Sequence, residues 1–357
     1  MVAIPNTPTI DAIYALYAKR AAEESARDYL GGSEIGRECN RRIWYSFRQV
    51  AREEIEGRMA RLFQTGHREE ARIIQDLRDI GCEVLDKDPA TGKQWRYTNG
   101  HISGGLDAVV KGLPEAPKTW HLLEAKTANK KRFDELEKNG VQKAKPEHYA
   151  QMMIYMGMAE LTRAAYVCVC KDDDRLYVER VEFDENTYKA LIIKAKRIIN
   201  EESPPDRISE KADGYPCKFC PMVQSCHGEK MPAVSCRTCV HSSPIENGKW
   251  ACLVELRTKA FANGLAMAPN CAEHVFIPGL LHWAEPIDGQ PNWIKYRIKE
   301  NKREFVNVTA SGFPADDAPH YSSEELSRCV VNAIGDPTVE AARHVLGGKV
   351  AESRRLP

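Results

Sequence analysis

The chain has 357 residues, 43% of them hydrophobic and 29% charged, enough for one large domain or two to three ordinary ones with real cores. Its 51 basic and 51 acidic residues cancel, which excludes a uniformly basic surface but leaves room for a local basic groove. No apolar run reaches the length of a membrane span, and the N-terminal stretch lacks the charged start, apolar core and cleavage site of a signal peptide, so the expected location is the cytoplasm.

In chain order, residues 9–30 read as a helix ending at Gly31-Gly32. Ser33 reads as an N-cap before a helix that carries Arg41, Arg42, Ile43, Trp44 and Tyr45. A further helix is expected over about 49–63, and another from Thr65 to Gly81. Strands follow at about 82–87, 94–98, 101–111 and 119–127. The segment 126–145 holds seven Lys/Arg against three Asp/Glu and offers the local basic groove. Residues 146–161 form an apolar helix opening on Pro146, then come strands 164–171 and 175–183 and a helix over 185–201. This order predicts an α/β core with a mixed sheet. Ser203-Pro204-Pro205 marks a break. Beyond it Cys, Pro, Gly and His dominate to about residue 280, a composition that needs metal to hold it. The remainder, 281–357, shows one hairpin-like stretch, WIKYRIKENKREFVNV, and two short helical patterns. No phosphate-binding GxxxxGK[ST] loop is present, which argues against an ATP-driven motor.

Two of the predicted strands carry acids where they should be apolar. Asp107 lies in GGLDAVV, and Glu124 and Lys126 lie in HLLEAKTA. Burying a carboxylate costs about several kcal/mol unless it is paired or binds metal. Asp107 and Glu124 suit a hard divalent cation, with the main-chain carbonyl of Ala125 as a further ligand. Lys126 shares the strand face of Glu124 and can orient an attacking water or stabilise charge. A structural Glu–Lys pair would give the same local pattern, but the flanking motifs are independent of it. His67 and Glu70 share a helix face, and His67 could complete the metal site. Gln151 and Tyr155 share a face on the helix that follows, where Gln151 can bond a phosphate or metal-bound water. Tyr155 can stack on a base or contact the backbone.

Twelve cysteines in a cytoplasmic chain argue for metal rather than disulfides. Cys82, Cys168, Cys170 and Cys329 read as inert core thiols. Cys217-x2-Cys220-x5-Cys226 gives three thiolates and needs a fourth ligand, for which Cys39 is the free candidate and the adjacent His227 an awkward one. Spacing alone does not separate zinc from a cubane cluster. Linking Cys39 would close a loop of about 180 residues. Cys236-x2-Cys239-x12-Cys252-x18-Cys271 has the arrangement of a zinc ribbon or knuckle, in which His241 or His274 could replace one cysteine.

Taken together, SEIGRECNRRIWY, TGHREEARI, SGGLDAVV, LLEAKT, HYAQMMIYM and YPCKFCPMVQSC resemble the RecB-like branch of the PD-(D/E)xK nucleases, in particular the iron–sulfur exonucleases of CRISPR-associated and phage-encoded type. The resemblance covers about residues 30–230. It implies a restriction-endonuclease-like α/β core with a mixed central sheet, catalysis by Asp107, Glu124, Lys126, Gln151 and Tyr155, and a metal site including His67. It also implies a 4Fe–4S cluster on Cys39, Cys217, Cys220 and Cys226. The expected activity is Mg2+- or Mn2+-dependent DNA exonuclease, in phage or bacterial recombination, replication or repair. The alternatives are an endonuclease or adaptation-type processing nuclease, or a non-catalytic DNA-binding scaffold. Single-stranded or end-resected DNA is the expected partner, with a recombination or annealing protein beside it. The expected division is a nuclease domain over 1–230, a zinc-ribbon-like module over 231–280, and a small α+β extension over 281–357. On that division a chain ending near Met231 should keep the chemical step.

Overall fold

The computed structural model describes residues 7–24, 27–254, 271–312 and 317–346. The elements run α1 (Pro8–Glu23), β1 (Leu30–Gly31), α2 (Gly32–Ile35), α3 (Asn40–Phe47), α4 (Gly57–Asp79), β2 (Glu83–Leu85), β3 (Arg96–Asn99), β4 (Ile102–Gly105), β5 (Ala108–Lys111) and β6 (His121–Ala128). They continue through α5 (Lys130–Ala144), α6 (Pro146–Ala159), β7 (Arg163–Cys170), β8 (Leu176–Glu182) and α7 (Glu185–Asn200). After the cysteine-rich turns come α8 (Val223–Cys226), β9 (Ser242–Pro244), β10 (Trp250–Cys252), β11 (Ala284–Gln290), β12 (Trp293–Ile298), β13 (Glu304–Val308), β14 (His320–Tyr321), α9 (Ser323–Arg328) and α10 (Pro337–Leu346). Among the described residues no helix is long and apolar enough to cross a membrane.

The chain forms two compact units. One comprises residues 1–38 and 54–196, the other 39–53 and 197–357. This division does not coincide with the expected boundary near 230. It cuts within α7 and assigns α3 to the second unit.

The first unit is built on a mixed five-stranded sheet in the order β2-β5-β6-β7-β8. Only β6 and β7 run parallel, with Glu124 opposite Tyr166 and Lys126 opposite Cys168. Successive side chains of β6 take opposite faces of the sheet. Leu123 and Ala125 join Ile73 and Ile74 of α4 in one apolar cluster with Val84, Val110 and Val167. Glu124 and Lys126 project from the opposite face. A small second sheet, β1-β4-β3, lies in the same unit.

Several elements differ from their sequence reading. The first helix stops at Glu23, because Leu30 and Gly31 pair with Ile102 and Ser103 as a strand. Ser33 lies inside α2 rather than capping α3; the N-cap of α3 is Cys39, whose Sγ accepts the Arg42 N–H at 3.4 Å. The helices expected over 49–63 and from Thr65 are one helix, α4. The strand expected over 101–111 is two strands in different sheets, broken at Leu106-Asp107. The basic stretch 126–145 is largely α5, whose Lys130 pairs with Asp134.

In the second unit β12 and β13 form the expected hairpin, which β11 and β14 extend to four strands. Tyr296, Phe305, Tyr321 and Phe276 anchor its core. Ile43, Trp44, Tyr45, Phe47, Arg48 and Val50 are buried, and part of this stretch packs on the C-terminal segment of the same unit. The guanidinium of Arg48, 2% exposed, lies 5.0 Å from the Trp250 ring centroid, and that of Arg237, 1% exposed, lies 4.8 Å from it. Arg48 donates to the carbonyls of Arg237 and Ser242, Arg237 donates to that of Phe47 at 2.6 Å, and Phe47 stacks on Trp250 at 5.4 Å.

Candidate active site

Asp107 sits where the chain leaves β4 for β5, the step from the small sheet to the large one. Its Oδ2 accepts the Ala125 N–H at 2.8 Å, which ties the start of β5 to the middle of β6. Ala125 thus meets Asp107 through its amide. Glu124 is 1% exposed. One of its oxygens forms an ion pair with the Lys126 ammonium, and the other accepts the Gln151 side-chain amide at 3.0 Å. Burial pushes the Glu124 carboxyl up to about 7, with Lys126 acting against that shift and Asp107 with it. Lys126, held charged by Glu124 and Asp107, shifts upward despite its own burial.

The acid on α4 that bears on this group is Glu70. Burial, then the charge of Asp107, pushes its carboxyl up to about 7, while Lys126 opposes the shift. His67, one turn earlier, is exposed and has no side-chain hydrogen bond or ion pair among the described residues. The helix therefore presents a carboxylate to the site where the sequence reading placed an imidazole. The signal was available in TGHREE, since positions three apart share a face.

Tyr155 also departs from expectation. It is 4% exposed, so its ring is not free to stack on a base. A Cβ added at Gly104 would come 2.1 Å from the Tyr155 hydroxyl, and one added at Gly32 would come 2.5 Å from the ring. Both glycines are needed for this close approach. The phenol is pushed strongly upward by burial and by Glu124. On the same face of α6, His148 Nδ1 lies 2.8 Å from the Tyr166 hydroxyl, opposite Glu124.

The arrangement concentrates three carboxylates, one ammonium and one amide. Glu124 is buried against the Lys126 ammonium, and two of the acids are shifted toward neutrality. Carboxylates are the donors a hard divalent cation takes, and its charge would meet the two raised acids, although among the described residues no three such side chains stand close enough as placed to hold one ion.

In the second unit Cys39, Cys217, Cys220 and Cys226 line one cavity with Arg41, Arg42 and Arg207. The Met222 N–H bonds to the Cys220 thiol, and burial raises Cys217 and Cys220, with the neighbouring thiols adding to the effect. At the second set, Cys239 receives backbone N–H donors from His241 and Val275, and its thiol is pushed up to about 12 by burial, with Cys236 and Cys252 contributing. His274 Nε2 lies 3.0 Å from the Ser235 carbonyl, and the His274 N–H bonds the Cys271 carbonyl at 3.0 Å. These bonds bring the Cys271 turn against the Cys236–Cys239 turn. Among the described residues no three His, Cys, Asp or Glu side chains stand close enough to hold one ion as placed. N–H groups reach sulfur in both sets and arginines bear on the first, a donor chemistry that thiolate-bound metal would use. Cys82, Cys168, Cys170 and Cys329 are buried, consistent with core thiols.

No family model and no curated protein matches the chain. Among solved structures, SSO0001 is 13% identical at a TM-score of 0.39, over 60% of this chain and 95% of that chain. An alkaline exonuclease, LHK-Exo, from Laribacter hongkongensis is 18% identical at a TM-score of 0.35, over 53% of this chain and 90% of that one. LHK-Exo in complex with dAMP is 16% identical at the same TM-score and coverage. Likenesses this low carry no argument, and the site's own geometry has to bear the functional reading.

Proposed function

We propose that the first unit is a metal-dependent deoxyribonuclease that hydrolyses phosphodiester bonds, acting as an exonuclease on DNA. The observation that carries this reading is Glu124, buried in β6 between the Lys126 ammonium and the Gln151 amide, with Asp107 bonded to the adjacent peptide. Asp107, Glu124 and Glu70 would hold Mg2+ or Mn2+, which supplies charge for the phosphate and lowers the pKa of a water. Lys126 would orient that water or meet the charge developing on phosphate, and Gln151 keeps Glu124 aimed.

In the same reading Cys39, Cys217, Cys220 and Cys226 hold a 4Fe–4S cluster, and Cys236, Cys239, Cys252 and Cys271 hold zinc. What supports the first is the shared cavity, and what supports the second is the pair of N–H donors onto Cys239. The biological setting proposed is DNA recombination, replication or repair in a phage or bacterium, alongside a recombination or annealing protein.

The test is a time course on end-labelled single- and double-stranded DNA with Mn2+, beside a covalently closed circle. Shortening from an end that requires Asp107, Glu124 and Lys126 supports the proposal. Cutting of the circle would make the enzyme an endonuclease, and no metal-dependent cleavage of any DNA would overturn the reading.

A further inference from the structure

Tyr215 is 87% exposed and Phe219 78% exposed, the two most exposed aromatic side chains among the described residues. Exposed apolar residues are ordinary when scattered singly, but two rings four positions apart in one short loop are not. The loop itself is well fixed. The Lys218 N–H donates to the Gly214 carbonyl at 2.9 Å, the Cys220 N–H donates to that of Cys217 at 2.8 Å, and Cys217 is buried between the two rings in sequence. The backbone is thus pinned while the rings point outward, so their ordering is not offset by burial.

The charges around the rings favour a polyanion. The Lys218 ammonium lies 5.7 Å from the Phe219 ring centroid, and Lys211 is exposed on the same loop. Glu210 is taken up by Arg207 at 3.2 Å, leaving Asp213 as the opposing exposed acid. In sequence the exposed residues beside the rings are Lys211, Ala212, Asp213 and Lys218. Aromatic faces interleaved with lysines are the chemistry that stacks unpaired bases while neutralising phosphates.

We propose that Tyr215 and Phe219 form a base-stacking platform for single-stranded DNA. The proposal rests on the nuclease reading for its choice of nucleic acid, but it concerns residues with no part in the catalytic group.

The experiment is fluorescence anisotropy with the full chain and no divalent metal, using labelled oligothymidylate and an abasic strand of the same phosphate count. The wild-type protein should prefer the oligothymidylate by about tenfold or more. Tyr215→Ala with Phe219→Ala should bring it down to the abasic level, and Tyr215→Trp with Phe219→Tyr should restore the preference. Hydrolysis of a small chromogenic phosphodiester with Mn2+ should be unchanged in both variants. A base preference that survives the double alanine change overturns the platform. So does an equal loss on both strands, or a loss that the aromatic variant fails to restore. If the wild-type protein hydrolyses neither DNA nor the small diester, the nuclease reading fails, while the binding comparison still decides the platform.

Discussion

The side-chain amide of Gln151 donates to Glu124 across 3.0 Å, joining α6 to the middle of β6. The other Glu124 oxygen belongs to Lys126, so Gln151 fixes which way the carboxylate faces. Partners that aim a metal-binding group cost about 10- to 100-fold in activity or metal affinity when removed. Gln151→Ala should lower kcat/KM on DNA within that range without changing the melting temperature by more than a few degrees. Glu124→Ala and Lys126→Ala should lose about 1,000-fold or more, since they remove a ligand and the positive charge themselves. Steady-state kinetics with Mn2+ checks all three, and near-wild-type rates in the Glu124 variant would sink the assignment.

Glu70 and His67 are where the proposed site and the one expected on sequence differ. Glu70 feels Asp107 and Lys126, whereas His67 is exposed on the preceding turn. Glu70→Gln should raise the Mn2+ concentration needed for half-maximal activity by about tenfold or more. His67→Ala should leave that requirement within about twofold, in line with an exposed residue. The reverse ranking in a metal titration would restore the imidazole to the site.

The large sheet was legible in the sequence because β7 is a nearly continuous apolar run and β6 carries Leu122 and Leu123 just ahead of Glu124, and an acid there stands out against them. The shared face of His67 and Glu70 was legible too, but which of the two meets the site was not, because only the fold sets Asp107 to act on Glu70. The break at Leu106-Asp107 was hidden for a related reason: the sheet each half joins is set by its distant partners, β3 for β4 and β2 and β6 for β5, which no local pattern carries. The membership of α3 in the second unit rests on contacts about 190 residues away in sequence, such as Arg237 to Phe47, which no local pattern carries.

Metal binding should depend on pH through Glu70 and Glu124, both pushed from 4.5 to about 7. A carboxyl raised in the folded state stabilises fully below its unfolded pKa and loses that contribution as pH rises through the folded one. Buried His274 and half-buried His282 act oppositely, pushed down from 6.5 to about 4 chiefly by desolvation, so their contribution is complete above about pH 6.5. Between pH 6.5 and 8 the carboxyls therefore decide the slope. Metal-free protein should lose melting temperature across that window, and Glu124→Gln should flatten the loss. Mn2+, which binds the ionised form, should raise the melting temperature more at pH 8 than at pH 6.5. Scanning fluorimetry at both pH values measures this, and an equal metal effect at each would contradict it.

The cavity lined by Cys39, Cys217, Cys220 and Cys226 predicts iron. Protein purified without oxygen should be brown and contain about four iron atoms per chain, as a cubane cluster requires. Cys39→Ala should bleach it and lower solubility, because metal-binding energy at such a site is also folding energy. A colourless protein carrying only zinc would replace the cluster without touching the nuclease site.

A chain ending near Met231 should fail to fold its cysteine-rich segment, contrary to the expectation from sequence. The reason is the stack in the second unit, where Arg48 and Arg237 lie against Trp250 and Phe47 packs on the same ring. Ala233 N–H also bonds the Val50 carbonyl at 2.8 Å. Truncation removes Ala233, Arg237 and Trp250 together, leaving the otherwise buried Trp44, Phe47 and Arg48 exposed beside Cys39. In the full chain Trp250→Ala should cost about 3–5 kcal/mol, the usual range for emptying a buried aromatic site. Urea unfolding checks the point variant, and solubility with iron content checks the truncation. A soluble truncated protein that keeps its iron and still cuts DNA would show that the stack does not hold α3 and the cluster loop in place.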